Sequence, residues 1–267
     1  MAKVLICGAT GTTGSEILRQ LKGEDVELRA LTRSEESAQK LRAEGVDVVY
    51  VANSASPELP ALEGGLASAA REAGVGHLVK LSVIGAAEDA PLIFAQMHAR
   101  AEDLIRESGI AWTMLRPNGF MQNTLAWAGQ IPGGTVYGPV MDARWSIVDV
   151  RDIGSVGVAA ILDPQGHAGK TYDLTGPEAS SPREQVEILA DLLGRPIAAQ
   201  EVPIDQAKES MLSMGWPDWS VERMGELFEL YANGLAEGVS GDIETVTGRP
   251  ARTYREFAAD HLAAFGG

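Results

Sequence analysis

The chain opens on an uninterrupted apolar, β-prone run, Val4-Leu5-Ile6-Cys7, followed at once by glycine. A continuous run of this kind predicts a strand buried on both faces of a parallel sheet, because a half-exposed strand alternates apolar with polar positions. Residues 12–21 then place Ile17, Leu18 and Leu21 on one helical face, and residues 26–31 read as a second strand. Strand, glycine turn, helix and strand make a βαβ unit. The alternation continues with helix 35–44, strand 46–52, helix 59–73, strand 77–83, helix 91–108, strand 112–115 and helix 118–130. It predicts an α/β fold built on a doubly wound parallel sheet.

Near residue 131 the rhythm changes. Ile131-Pro132-Gly133-Gly134 is a turn, 145–150 a short strand, 152–162 a helix and 170–175 a strand. After Pro177 helical patterns dominate, at 182–193, 205–214, 221–235 and 253–265, with a short strand at 197–202. No Gly/Ser- or Pro-rich linker intervenes. The expected organisation is a core over 1–130 and a smaller, mainly helical lobe over 131–267 packed on it, with some strands returning to the sheet.

Composition narrows the classes of partner. With 22 Lys+Arg against 37 Asp+Glu the formal net charge is −15, and no basic run interrupts it, so neither nucleic acid nor anionic membrane is an expected partner. At 267 residues and 45% apolar content the chain is long enough to bury a core, and disorder is excluded. The single cysteine, Cys7, reads as a small buried hydrophobe in a reducing compartment, and the histidines at 77, 98, 167 and 261 lack metal-ligand spacing. No apolar stretch approaches the roughly 18 residues of a membrane helix, and the N-terminal run is too short for a signal peptide. A cytoplasmic monomer or homodimer acting on a small molecule is expected.

The chemistry begins at Gly8-Ala9-Thr10-Gly11-Thr12-Thr13-Gly14, directly after the first strand and opening the first helix. Gly8 permits the tight turn, Gly11 lets main chain approach a pyrophosphate with no Cβ in the way, and Gly14 allows close packing of the helix. The helix N-terminus offers N–H groups and partial positive charge to phosphates, so Gly8, Thr10, Gly11, Thr12, Thr13 and Gly14 are dinucleotide-binding candidates. An acidic residue about 20 positions further on would accept the ribose 2′-hydroxyl of NADH. Here Leu31-Thr32-Arg33-Ser34 follows, and the Arg33 guanidinium suits a 2′-phosphate, which selects NADP(H).

This turn resembles the opening of the atypical short-chain dehydrogenase/reductases, and further segments narrow the resemblance to the NmrA-like group. They are Ala73-Gly74-Val75-Gly76-His77-Leu78-Val79-Lys80-Leu81-Ser82, Leu115-Arg116-Pro117-Asn118-Gly119-Phe120-Met121-Gln122-Asn123 and Val148-Asp149-Val150-Arg151-Asp152-Ile153. The tail Val246-Thr247-Gly248-Arg249-Pro250-Ala251-Arg252-Thr253-Tyr254, with Phe257, resembles the branch holding festuclavine-type dehydrogenases and NADPH:quinone oxidoreductase-like proteins. The resemblance implies a Rossmann-type core with NADP(H). It also implies either reduction of a conjugated or aromatic small molecule or, in some members, redox sensing without turnover.

Two departures matter. Where the wider superfamily carries Tyr-x-x-x-Lys, this chain has Phe94-Ala95-Gln96-Met97-His98, and phenylalanine cannot donate a proton. His98 is left to contact the nicotinamide ribose, to act as an acid–base group, or to pack on its helix. Ser82 stands where the superfamily serine polarises a carbonyl, and its alternative is a hydroxyl bonded within the protein at a strand end. The resemblance also implies an edge strand, an acidic turn and a helix that this chain omits between Glu44 and Val46, so the sheet should be one edge strand shorter than in relatives.

Ligands of open α/β sheets lie beyond the carboxyl ends of the strands, which here are Asn53, Ser82 and Pro117-Asn118. Asn53, Pro117, Asn118 and Phe120 are therefore expected along the nicotinamide, and Phe94, Phe120, Met121, Trp127, Trp216 and Trp219 along an apolar substrate pocket. Hydride transfer to a quinone, enone, quinone methide or iminium needs little acid–base machinery, which suits the missing tyrosine. A non-catalytic NADP(H) sensor is the alternative reading.

Overall fold

The computed structural model describes residues 1–31, 46–53 and 56–267, so Arg33 and the expected helix 35–44 lie outside the described residues. The strands in chain order are β1 (Ala2–Cys7), β2 (Val26–Leu31), β3 (Val48–Val51), β4 (His77–Leu81), β5 (Ala111–Pro117), β6 (Thr135–Gly138), β7 (Lys170–Leu174) and β8 (Ala198–Glu201). Six of them form one all-parallel sheet in the order β2-β1-β3-β4-β5-β7. The chain winds outward from β1 to β2, then returns past β1 to β3 on its other side, so the direction of winding reverses between β1 and β3. In doubly wound sheets that reversal opens the ligand crevice at the strands' carboxyl ends.

The apolar strand runs are explained by helices on both faces. Leu5, Cys7, Val49, Val51, Leu78 and Met114 form one buried cluster with Ala67, Ala70 and Ile105 of helices α2 (Leu59–Glu72) and α3 (Ile93–Glu107). On the opposite face α1 (Thr12–Leu21) lies against α4 (Val150–Leu162), where a Cβ at Gly157 would stand 2.9 Å from Ile17 and 3.4 Å from Leu115. Among the described residues no strand lies outside β2, whose positions are mostly half-buried, as at a sheet edge.

The described residues divide into two compact units, and the division follows space rather than sequence. The first comprises 1–117, 150–174 and 242–249, and the second 118–149, 175–241 and 250–267. The boundary thus falls at Pro117 and not at 130, and β7, beside β5, belongs to the first unit. The further α-helices are α5 (Pro164–His167), α6 (Pro182–Leu193), α7 (Ile204–Ser213), α8 (Asp218–Ala232), α9 (Asp242–Thr247) and α10 (Tyr254–Asp260). The second unit has its own core, in which Met121, Ile131, Val136, Ile147 and Val186 meet Tyr254 and Phe257.

Two expected elements take another form. Residues 118–130 are not an α-helix; a 3-10 helix runs from Met121 to Gly129. Met121 and Thr124 are buried and Trp127 packs on the same core, a spacing of three that suits a three-residue turn. The strand expected at 145–150 is reduced to isolated bridges, Trp145 with Ser180 and Phe120 with Val148, because consecutive residues bond to different partners and no ladder forms.

Candidate active site

The glycine turn sits at the reversal point of the sheet. Gly8 has φ +80°, and a Cβ there would overlap the carbonyl oxygen of Ala52 at the end of β3. A Cβ at Gly14 would overlap the Gly8 carbonyl group, its carbon at 2.8 Å, so Gly14 is required by packing against the turn itself. Gly11 differs: among the described residues its Cβ would meet only the Gly8 oxygen, at 3.2 Å, and the residue is exposed with Thr10 and Thr12. The Gly11 position thus faces outward from the turn and is not packed under it as Gly14 is. Helical bonding starts with Ser15 N–H to Gly11 O at 2.9 Å, so the amides of Thr12, Thr13 and Gly14 stand ahead of the ladder. No acidic side chain occupies the first turn of α1, and Gly11 offers no capping group. This is a cradle suited to a diphosphate.

Beside it, on the α2/α3 face of the sheet, lies a line of buried charge. Lys80 of β4 forms an ion pair with Glu63 of α2, both side chains having no exposure. The Lys80 ammonium also donates to Nδ1 of His98 in α3 at 3.1 Å and, more weakly, to the Leu81 carbonyl at 3.3 Å. Glu63 accepts in turn from Asn53 Nδ2 at 3.3 Å. Asn53 and His98, two expected site residues 45 positions apart in sequence, are thus joined through Glu63 and Lys80. Burial raises the Glu63 carboxyl despite the lysine beside it. Burial, then the Lys80 charge, pushes His98 well below the ordinary imidazole range, so the ring is neutral near pH 7.

Ser82 belongs to a second cluster. Its hydroxyl donates to Glu102 Oε1 at 2.5 Å, and Arg116 grips both oxygens of that carboxylate at 2.9 and 2.7 Å while Arg106 adds a bond at 2.8 Å. Although burial raises the Glu102 carboxyl, bonds from Arg116, Ser82 and Arg106 outweigh it and hold the group below its usual value. The Ser82 proton is therefore engaged inside the protein. Cys7 is buried, and desolvation followed by Glu63 raises its thiol to about 12, an inert state.

The remaining expected residues are placed less uniformly. Pro117 ends β5 and accepts from the Ile84 amide at 2.9 Å. Asn118 has its amide consumed: Nδ2 donates to Ser146 Oγ and Ala236 O, both at 3.0 Å, and Oδ1 accepts the Gly119 amide at 2.8 Å. It clamps the second unit rather than offering polar atoms to a ligand. Met121 is 1% exposed within the second unit's core, and Trp127, half-buried, packs against that core. Phe120 is half-buried and Trp216 is exposed between α7 and α8, with Trp219 half-buried in α8. Phe94 lies half-buried in the first unit, one turn before His98 in α3, while the second unit holds a stacked pair that the spacing did not suggest, Trp145 on Tyr231 at 4.2 Å.

Lys80, Glu63 and Glu102 were not among the expected site residues, yet each left a signal. Lys80 interrupts a strand otherwise apolar enough to be buried on both faces, where a charge must find a partner. Glu63 and Glu102 fall at the core spacing of their helices, alongside Leu59, Ala67 and Ala70 and alongside Ala95, Ala99 and Ile105.

A doubly wound parallel sheet with an open glycine cradle at its reversal point defines a Rossmann-type nucleotide-binding protein. A model of the NmrA-like family matches residues 61–258, and the chain belongs to that family. It is 37% identical over 284 aligned positions to an NAD(P)H azoreductase of Xenophilus azovorans, covering 98% of this chain and 99% of the relative. It is 35% identical to a (4-alkanoyl-5-oxo-2,5-dihydrofuran-3-yl)methyl phosphate reductase of Streptomyces griseus, covering 98% and 99%. The first alignment is longer than this chain's 267 residues, so that relative carries segments that this one omits. Among solved structures, the NADPH-dependent quinone oxidoreductase QOR2 of Escherichia coli, complexed with NADPH, superposes with a TM-score of 0.82 at 22% identity, covering 97% of this chain and 99% of that one.

Proposed function

We propose that this protein is an NADPH-dependent reductase that delivers hydride to a small conjugated electrophile, a quinone, enone, quinone methide, iminium or azo compound. The observation that carries the reading is the open cradle at Gly11, at the reversal point of the sheet, with Asn53 and His98 linked beside it by one buried polar chain. Support comes from the relatives' names: an azo group, an unsaturated lactone bearing an alkanoyl group and a quinone share an electron-poor conjugated system.

The residues divide the work. Amides of Thr12, Thr13 and Gly14, with the α1 dipole behind them, hold the diphosphate, and Arg33 holds the 2′-phosphate. Asn53 and His98 orient the nicotinamide end, while Phe94 presents an apolar surface where relatives of the wider superfamily have a phenol. When bound, NADPH would supply the hydride; a neutral acceptor such as a quinone, enone or azo group then takes one proton, which water can provide, whereas an iminium needs none. His98, neutral and short of an acidic proton, stabilises charge by hydrogen bonding instead of by proton transfer.

The test is loss of nicotinamide absorbance when NADPH is mixed with the full chain and a panel containing an azo dye, a benzoquinone, an enone and a cyclic iminium. Turnover of at least one class, with a higher kcat/KM for NADPH than for NADH, is expected. Tight NADPH binding with no turnover across the panel would instead favour a nucleotide-sensing regulator.

A further inference from the structure

We infer that Lys80 is a positioning residue that locks His98 into the Nε2–H tautomer, making it a fixed neutral donor. The inference deepens the functional reading above and rests on it for placing His98 at the reacting end. The geometry of the lock itself stands independently. An ammonium has three N–H donors and no acceptor. Lys80 Nζ meets three acceptors, the Glu63 carboxylate, the Leu81 carbonyl at 3.3 Å and His98 Nδ1 at 3.1 Å. Nδ1 must then present its lone pair to the lysine, and the ring proton is left on Nε2.

The arrangement has an energetic cost that stability does not require. Two fully buried charges lose their hydration, and well-packed apolar residues in such positions are often as stable or more so. Leu78, Val79 and Leu81 show what β4 otherwise selects. A bare ion pair would also not need the third bond, to the imidazole. Through that bond, Glu63 orients Lys80, Lys80 orients His98, and Glu63 Oε1 holds Asn53 from the other side. The charged groups packed around His98 are Lys80 from β4, Glu63 behind it from α2, and Glu102 four residues on in α3, whose charge is taken up by Arg116 and Arg106. Lys80 is the cation in contact, and a second proton on His98 would set two positive charges 3.1 Å apart. The lysine therefore selects the tautomer and excludes the imidazolium.

Long-range proton–nitrogen correlation spectra of the imidazole rings in the nucleotide-free chain test this directly, with His98→Gln assigning the signal. His98 should show the pure Nε2–H pattern and no titration between about pH 8 and 6. In the double variant Lys80→Met with Glu63→Gln, which removes both charges at similar volume, the ring should become a tautomer mixture and titrate nearer the ordinary imidazole value. Turnover should fall about 10- to 100-fold while the KM for NADPH changes less than about threefold. Lys80→Met alone leaves Glu63 buried and unpaired, so the double variant carries the kinetic arm, and the wild-type spectrum decides even if that variant fails to fold. An Nδ1–H ring in the wild type, or a pure Nε2–H pattern that survives the double substitution, would overturn the inference. Failure of the wild type to bind NADPH would defeat the functional reading while leaving the tautomer measurement intact, so the two fail separately.

Discussion

The three glycines of the opening turn are alike in sequence and unlike in what they do. Gly14 is required by the fold, since any side chain collides with the Gly8 carbonyl, whereas at Gly11 one atom of the described residues, the Gly8 oxygen at 3.2 Å, lies in reach of a Cβ. Gly14→Ala should therefore destabilise the chain by ~1–3 kcal/mol, the usual cost of overpacking, seen as a lower melting temperature. Gly11→Ala should change stability by less than about 1 kcal/mol and still weaken NADPH binding at least about tenfold, because its Cβ enters the diphosphate's space. Equal loss of stability in the two variants would show that both glycines serve packing alone. At this scale the turn was legible because glycine spacing after an apolar strand has few explanations. The state of His98 was not: its ordinary imidazole value would suit a titrating acid, and only the fold reveals the burial and the lysine that remove that role.

At the scale of elements, β4 and β5 carry different chemistry at their two ends. Their carboxyl ends hold Lys80, Ser82 and Arg116, while near their amino ends His77 Nε2 lies 2.9 Å from Thr113 Oγ1, whose proton goes to the His167 carbonyl at 2.8 Å. That bond makes His77 Nε2 the donor and leaves buried Nδ1 without a partner. Burial, and then His167, lowers the His77 imidazole from 6.5 to about 4. The native state thus binds this proton less readily than the unfolded chain. Its contribution to stability is complete above the unfolded value and is lost as pH falls from about 6.5 toward 4, by up to ~3 kcal/mol. Denaturant unfolding across that range should show the His77→Leu variant losing less stability with acid than the wild type, and parallel curves would refute this. Most helices and strands of the first unit were legible from periodicity, since each buries a regular apolar stripe. The 3-10 segment after Phe120 was not, because a three-residue burial period over Met121, Thr124 and Trp127 looks helical in a short window.

For the whole molecule, the order of strands in the sheet was legible as a class and the division into units was not. Alternating strands and helices imply a parallel sheet, but which later segments rejoin it depends on non-local pairing. β7 was expected as a strand but its place beside β5 was not, and α9 supplies Asp242 to the Asp173 amide at 2.8 Å from a position with no marker in the chain. Composition speaks at this scale too: a formal charge of −15 repels anions over the surface at large, so a tetra-anionic nucleotide must be held by local amides and a local cation. The measurement that bears most directly on the account is calorimetric titration of the full chain with NADPH. One site per chain with an exothermic or otherwise measurable heat, weakened in Gly11→Ala, is the predicted result. No binding of NADPH, and none of NADH in the matching titration, would contradict it.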